Sequence, residues 1–427
     1  MMTSLVRSSR TFLLFRSTQL RFQSSQVAAD ASNGIRDINS VGLKQRAREN
    51  HPNNNIPESI IAKIGRNLHR QRDHPLNVVK QRIEDYCQQY AIDKYGENQL
   101  RFSIYDDMNP IVTKKRCFDD LLVKADHVSR SPSDTYYVND EHLLRTHTSA
   151  HQTELISSDI NLFLCSGECY RRDEIDSSHY PVFHQMEGVK IFGESELMIG
   201  DDTKSIAMIE SDLKELLSGL AVHLFGDVEM KWSKDYFPFT DPSFELEVNF
   251  RGEWLEVLGC GVIQPEVVFN AGKGGHKGWA FGLGLERLAM ILYQIPDIRL
   301  FWTDDERFHK QFVGLSDDPN KSVTFVPYSK YPFCYKDVSF WLPERSKEGQ
   351  HDFHCNDVYE VIRDVAGDLV EKVDLFDEFT NKKTGRCSQA YRITYRHMDR
   401  SLTNEEVDEI QFRLRDEMVE RLRIVLR

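Results

Sequence analysis

The chain lacks a membrane span: no apolar run in its 427 residues approaches the roughly 20 that cross a bilayer. It also lacks a cysteine framework. Cys87, Cys117, Cys165, Cys169, Cys260, Cys334, Cys355 and Cys387 lie scattered through a long chain, which argues for reduced thiols and against disulfide staples. Cys165 and Cys169 have no second pair to complete a zinc set. His147 and His151, four apart, have neither a third ligand nor a glutamate between them. The run Gly272-Lys273-Gly274-Gly275-His276-Lys277-Gly278 does not satisfy Gly-x-x-x-x-Gly-Lys-Ser/Thr, so a P-loop is excluded. Gly282-x-Gly284 lacks the third glycine and the βαβ surroundings of a dinucleotide-binding turn. Positive charge is in deficit as well: 54 Lys+Arg face 67 Asp+Glu, a net of −13. A nucleic-acid partner would have to be met by a local patch, because phosphate contacts need Lys and Arg.

A chain of this length with 40% hydrophobic residues can bury a large core, and its length suggests two or three domains. Arg7, Arg10, Arg16 and Arg21 punctuate a Ser-, Leu- and Phe-containing leader with no acid before Asp30. That composition predicts a mitochondrial transit peptide over residues 1–29; the competing reading is a disordered basic tail. A secretory signal fits less well, since the apolar stretch Thr11–Phe15 is short and followed by arginine. Residues 30–55, Asn-rich and punctuated by Gly and Pro, read as a poorly ordered lead-in. From His74-Pro75-Leu76 a helix is expected, with Val78, Val79, Ile83 and Tyr86 on its apolar stripe. Phe244–Phe250 and Trp254–Leu258 alternate as half-buried strands do. A connector over Gly272–Gly278 and a helix over Leu283–Tyr293 should follow.

Near residue 327 the pattern restarts as strand (Val338–Leu342), helix (Val358–Val370), strand (Val373–Phe379), strand (Ser388–Tyr395) and helix (Asn404–Leu426). Thr403 before Asn404-Glu405-Glu406 makes a good helix start. Alternation along Tyr391–Arg396 puts Arg392 and Arg396 on one face and Tyr391, Ile393 and Tyr395 on the other. With 17 basic against 20 acidic residues over 328–427, those arginines are either an RNA contact or a solvated strand face.

Two segments carry the chemistry. Gly167-Glu168-Cys169-Tyr170-Arg171-Arg172-Asp173, followed by His179-Tyr180-Pro181-Val182-Phe183, suits a hairpin that grips a nucleoside triphosphate. A guanidinium at Arg171 can fork a phosphate, and Phe183 offers a flat face to a base. Gly282-Leu283-Gly284-Leu285-Glu286-Arg287 lets backbone approach a ligand closely and aims a second arginine at it.

These segments are similar to motifs 2 and 3 of the class II aminoacyl-tRNA synthetases. Leu144–Gln152, Phe183–Gly188, Tyr236–Phe239 and Glu256–Gly261 resemble the single-chain mitochondrial phenylalanyl type in particular, from about residue 50 to the C-terminus. The resemblance implies an α+β fold: a class II catalytic domain (56–326) with an antiparallel sheet flanked by helices, then a ferredoxin-like α/β sandwich (327–427) that binds the anticodon. It implies activation of phenylalanine with ATP, release of pyrophosphate, and transfer to tRNA(Phe) in the mitochondrial matrix by a monomeric enzyme, with Mg2+ beside the ATP.

Residue by residue, the resemblance makes Arg171, Arg287 and Glu256 the catalytic set. Arg171 would bridge the α-phosphate and the amino acid carboxylate, Arg287 would meet the γ-phosphate or cover the adenine, and Glu256 would hold magnesium. Ser178, His179 and Tyr180 fall in the motif 2 loop, with His179 reaching the outer phosphates and Phe183 stacking on adenine; a merely solvated His179 is the alternative. Gln185 and Glu187, two apart on one strand, match the ammonium-binding pair, with Met186 between them. His147, Ser149, Ala150, His151 and Gln152 surround the polar end of the amino acid. Phe237 and Phe239 would present ring edges to the phenyl group, over a floor shaped by Ala280 and Phe281; plain core is their alternative role. A non-catalytic sensor descended from such an enzyme should have lost some of Arg171, Arg287, Glu256, Gln185 and Glu187, and all five are intact.

Overall fold

A computed structural model describes residues 40–97, 100–198, 200–328, 330–343 and 353–427. The leader over residues 1–29 lies outside the described residues. Residues 40–55, expected to be poorly ordered, are not so: helix α1 (Ser40–Ala47) buries Leu43 and Ala47 in the main core. Asn54 and Asn55, part of the Asn-rich stretch, donate their side-chain amides to the carbonyls of Ala47, Glu49, Pro132 and Thr135. Helix α2 (Pro75–Tyr95) starts with proline at its first turn behind His74, whose ring accepts the amide of Leu76. It ends at Gly96 with φ +94°, a conformation that suits glycine. Val78, Val79 and Ile83 are fully buried on it, as the spacing predicts.

The central sheet is made from β1 (Ser103–Tyr105), β4 (Leu162–Tyr170), β5 (Val182–Phe192), β6 (Glu229–Phe237), β7 (Thr240–Phe250), β8 (Glu253–Ile263) and β9 (Lys277–Gly284), with a separate small pair, β2 (Ile111–Thr113) and β3 (His142–Leu144). The spatial order is β1-β4-β5-β9-β8-β7-β6, and only β1 runs parallel to its neighbour. One face is covered by α2, α3 (Asp202–Phe225) and α4 (Leu285–Tyr293), with Met186, Leu246, Val248, Phe281 and Leu283 in the core between. The opposite face is closed at one end by Leu155, Ile156, Val267 and Val268 over Cys165, Val189, Ile191 and Ala280. Its other end is left open. Lys277 and Gly278 belong to β9, not to a connector, and α4 begins at Leu285 rather than Leu283. The reason is pairing: Gly282 and Gly284 lie in register with Glu187 and Gln185 of β5, so the strand runs two residues past the expected helix start.

The C-terminal unit runs β10 (Cys334–Trp341), α5 (Cys355–Ala366), β11 (Val370–Thr380), β12 (Cys387–Tyr395), α6 (Asn404–Leu422) and β13 (Val425–Leu426), in spatial order β11-β12-β10-β13. This is the βαββαβ sandwich. Tyr391, Ile393 and Tyr395 are fully buried beneath the two helices, so the alternation along β12 reads correctly. Thr403 and Glu406 form the capping box at the start of α6. That helix stops four residues earlier than expected, because Arg423 turns left-handed (φ 55°) and Val425–Leu426 pair with β10.

Candidate active site

The cavity on the open sheet face has a volume of about 880 Å³ and gathers residues far apart in sequence. Arg171, Asp173, Ser178, His179, Tyr180, Phe183, Gln185 and Glu187 come from the β4–β5 hairpin. Phe237, Phe239, Glu245 and Glu256 come from β6 to β8, Ala280 from β9 and Arg287 from α4, while His147 and Ser149 enter from the segment after β3. Both arginines singled out in the sequence therefore face one space.

At one end the groups suit a nucleotide. The exposed Arg171 guanidinium lies 5.0 Å from the Phe183 ring centroid, and its Nε donates to the carbonyl of Thr146 at 2.9 Å. The hairpin neck is closed by the Arg171 amide on the carbonyl of Pro181, at 3.0 Å. Within the loop, Asp176 accepts the amides of Ser178 (2.7 Å) and His179 (2.8 Å), and its other oxygen meets His179 Nδ1 at 2.9 Å. The hydrogen bond to Asp176 raises the pKa of His179 despite partial burial, which favours the charged form of the ring. Arg287 Nη1 pairs with Glu256 at 2.9 Å, both about half exposed.

Glu256 has a second carboxylate beside it. Burial, then the charge of Glu256 and of Asp235, raises the pKa of Glu245. A cluster of carboxylates that repel one another is what a hard divalent cation relieves, so Glu245 and Glu256 fit such an ion. Asp173, Glu174 and His179 form another group close enough to share a cation, although His179 is already held by Asp176.

At the other end the groups suit an amino acid. Glu187 is 2% exposed, and neither carboxyl oxygen has a hydrogen-bond partner. Burial pushes its pKa up to about 8; the Ser149 hydroxyl, close but outside hydrogen-bond geometry, offsets only part of this. A buried carboxyl with no partner is an unmet demand for a donor. Gln185 stands beside it, its Oε1 accepting the amide of Thr148 at 3.3 Å. His147 is held neutral, its pKa lowered to about 3 by burial and then by the charge of Arg171, and its Nδ1 is unpartnered. Phe237 and Phe239 lie with ring centroids 6.3 Å apart at 25°, and Phe239 is 6.4 Å from the His147 ring. The floor beneath them is nearly without side chains: a Cβ on Gly259 would come within 2.7 Å of Phe237 Cζ, and one on Gly282 within 2.9 Å of Gln185 Nε2.

Four expected site residues do not line the cavity: Met186, Ala150, His151 and Gln152. Met186 points to the helix-covered face, because it alternates with Gln185 and Glu187, and it is buried in the main core. Phe281 borders the cavity as expected, with Ala280 beside it on the site face, while the Phe281 ring is turned to the same face as Met186, beneath Gly188 and against Trp279 at 6.0 Å. Ala150 is packed among Cys117, Phe118 and Leu121. His151 does not line the cavity and is taken up by Arg145 Nη1 at 2.8 Å and Glu154 at 3.4 Å. Gln152 also lies behind the lining, fully buried, with both amide atoms unpartnered.

Arg392 and Arg396 sit apart, in the C-terminal unit. Arg392 is bidentate to Asp337 (2.8 Å each) between the exposed rings of Tyr335 and Phe376, at 4.4 and 5.1 Å. Arg396 Nε donates to the carbonyl of Tyr331 at 3.1 Å, and its Nη1 pairs with Glu371 at 3.3 Å.

Three buried groups escaped the sequence reading. Glu286 accepts the His184 amide and meets His184 Nδ1, both at 2.7 Å, which ties α4 to β5. Arg145 donates to the carbonyls of Glu168 and Met108. Glu168 accepts the amides of Gly65 and Asn67 and the hydroxyl of Tyr170. The one available signal was a charged residue inside an apolar run, and such residues more often face solvent.

Comparison with known proteins gives two family matches. Residues 61–312 match the tRNA synthetases class II core domain (F), and residues 329–427 match the ferredoxin-fold anticodon binding domain. The chain is 51% identical over 393 residues to "Phenylalanine--tRNA ligase, chloroplastic/mitochondrial" of Arabidopsis thaliana, covering 92% of this chain and 87% of that one. It is 49% identical over 392 residues to the mitochondrial phenylalanine--tRNA ligase of Mus musculus (86% and 84% covered) and 39% over 445 residues to that of Saccharomyces cerevisiae (87% and 92%).

Proposed function

The chain belongs to the phenylalanine–tRNA ligase family of class II synthetases, and from that premise we propose how its cavity divides the work between residues. The reaction is the two-step ligation of phenylalanine to tRNA(Phe) at the expense of ATP, in the mitochondrion. A carboxylate oxygen of phenylalanine attacks the α-phosphorus of ATP and pyrophosphate leaves. The terminal ribose hydroxyl of tRNA then attacks the acyl carbon of the adenylate, and AMP leaves. The first step needs positioning and charge stabilisation more than covalent help from the protein.

In this reading Arg171 lies between the two reacting anions, the amino acid carboxylate and the α-phosphate, and lowers their mutual repulsion. Phe183 takes the adenine on its face, a place that the Arg171 guanidinium now covers. His179 and Arg287 meet the outer phosphates. Class II synthetases use a divalent metal with ATP, and Glu256 with Glu245 would hold it, as Mg2+, where it would neutralise phosphate charge. Glu187 and Gln185 receive the α-ammonium, while Phe237 and Phe239 receive the ring. In the C-terminal unit, taken to begin near residue 327, Arg392 and Arg396 meet the RNA backbone. The active species is a monomer of the mitochondrial matrix, directed there by residues 1–29.

The observation that carries this is the polarity of one cavity: cationic and carboxylate groups at one end, and at the other an unpartnered buried carboxyl beside two phenylalanine rings. ATP–pyrophosphate exchange run separately with each of the twenty amino acids tests it. Exchange should require phenylalanine; exchange driven by another amino acid instead would refute it. Import of a reporter carrying residues 1–29, and sedimentation of the mature protein, test the address and the monomer.

A further inference from the structure

The β4–β5 loop serves the cavity but is held from outside it. Asp173, Ser178, His179 and Tyr180 line the cavity. Between them, Ile175 is buried in the hydrophobic core of the C-terminal unit, with Tyr359, Val373 and Tyr391 among that core's members. Its carbonyl accepts the amide of Val373 at 3.0 Å. Arg363 on α5 donates through Nη2 to the carbonyl of Asp173 at 2.8 Å and is itself set by Glu360 at 3.2 Å. Asn356 Nδ2 donates to the carbonyl of Arg172 at 3.0 Å, and the Arg172 guanidinium pairs with Asp357 at 3.0 Å. Past the loop tip, the Tyr180 hydroxyl donates to Asp368 at 2.9 Å.

These contacts are not generic interface polarity. Arg363 and Glu360 are 8% and 3% exposed, and what Arg363 holds is loop main chain. A polar loop that only reached toward phosphates would have no use for an isoleucine in its middle. Ile175 makes sense as an anchor driven into a second core. Arg363, Asp368 and Val373 do not line the cavity, so any effect they have on a nucleotide must pass through the loop. A mobile phosphate-gripping loop has to be ordered when ATP binds, and the ordering is subtracted from the affinity. Here the C-terminal unit orders it beforehand.

Resting on the function proposed above, we propose that the C-terminal unit has a second role besides RNA contact: it positions the β4–β5 loop for ATP through Ile175, Arg363 and Asp368. Amino acid activation, a step without RNA, then depends on the RNA-binding unit. The test uses the full chain in phenylalanine-dependent ATP–pyrophosphate exchange with no tRNA, and reads KM for ATP and KM for phenylalanine separately. Arg363→Gln should raise KM for ATP about tenfold, the equivalent of one hydrogen bond to a charged group, with KM for phenylalanine unmoved. Asp368→Asn, which keeps its shape, should shift the same constant less, and it carries the test if Arg363→Gln does not fold. Ile175→Ser should behave as Arg363→Gln does, and Ile175→Val should restore the parent value. Unchanged KM for ATP in all these variants overturns the proposal, and so does an equal rise in both constants, which would mean general loosening. No exchange by the unmodified protein would instead overturn the function on which the proposal rests.

Discussion

With Glu187 as the proposed seat of the α-ammonium, phenylalanine binding becomes a proton-linked event. In the free protein its carboxyl, buried and unpartnered, titrates near 8, so at neutral pH it is mostly protonated. The incoming α-ammonium requires the carboxylate, and binding must therefore expel the proton. With a free-state pKa of about 8, the ionised fraction grows about tenfold between pH 6 and pH 7, and the apparent affinity for phenylalanine should grow with it. Calorimetry near pH 7, in two buffers of different ionisation enthalpy, should find nearly one proton released per phenylalanine bound. His147 and His151 stay neutral across this window, lowered to about 3 and about 4, mainly by burial. His179 belongs to the phosphate end, and leaving ATP out of the experiment removes its influence. Glu187→Gln should flatten the pH profile and abolish the proton release.

The same shift runs against the stability of the free protein. A carboxyl whose pKa is raised on folding holds a proton that the unfolded chain has already released, so the free energy of unfolding falls as pH rises from the ordinary carboxylate range through about 8. Glu187→Gln removes that fall. Flat affinity from pH 6 to 7 without proton exchange would mean that Glu187 is already ionised, or that the ammonium goes elsewhere, and would refute the reasoning.

Other outcomes follow from the geometry. Arg171 is exposed, with one hydrogen bond to backbone, so Arg171→Ala should shift stability by under about 1 kcal/mol. It should slow pyrophosphate exchange by about two to three orders of magnitude, the loss expected for one charge-stabilising donor; a near-normal rate would contradict its role. Gly259→Ala places a methyl 2.7 Å from Phe237 Cζ and should raise KM for phenylalanine about tenfold or more through overpacking, as exchange kinetics at saturating ATP would reveal. Arg392→Ala removes a cation from between Tyr335 and Phe376; aminoacylation should show a higher KM for tRNA and a salt slope smaller by about one.

What the sequence made legible was local and periodic. The alternation along Tyr391–Tyr395, the stripe of Val78, Val79 and Ile83, and the cap at Thr403 are each set by neighbours within a few residues, and each is seen as read. Pairing across strands was not legible. The register of β9 on β5 moved the start of α4 to Leu285, and strand pairing on β10 shortened α6. At the site, the cavity gathers Arg171, Phe183, Gln185, Glu187, Glu256 and Arg287 as a set. The error at Met186 came from taking a whole motif word where a strand presents only every second residue. Ala150 and His151 erred differently: they lie on a short helical segment, where the side facing the cavity depends on contacts with Cys117 and Arg145 that lie outside the word.

One strand shows why parity matters more than composition here. On β5 the odd positions, Phe183, Gln185 and Glu187, line the cavity in order: the ring proposed as base platform, an amide and a buried carboxyl. The even positions do structural work. His184 is gripped by Glu286, Met186 fills the core, and Gly188 makes room for the Phe281 ring. Because Glu286 precedes Arg287 on α4, the His184 contact fixes Arg287 relative to Phe183, on the far side of the same strand. The nucleotide end and the amino acid end are thus held at a fixed separation by strand geometry, two residues per side-chain step. A one-residue insertion in β5 should therefore do more than weaken binding. It would turn the base platform and the carboxyl into the core together, and bring His184 and Met186 into the cavity in their place.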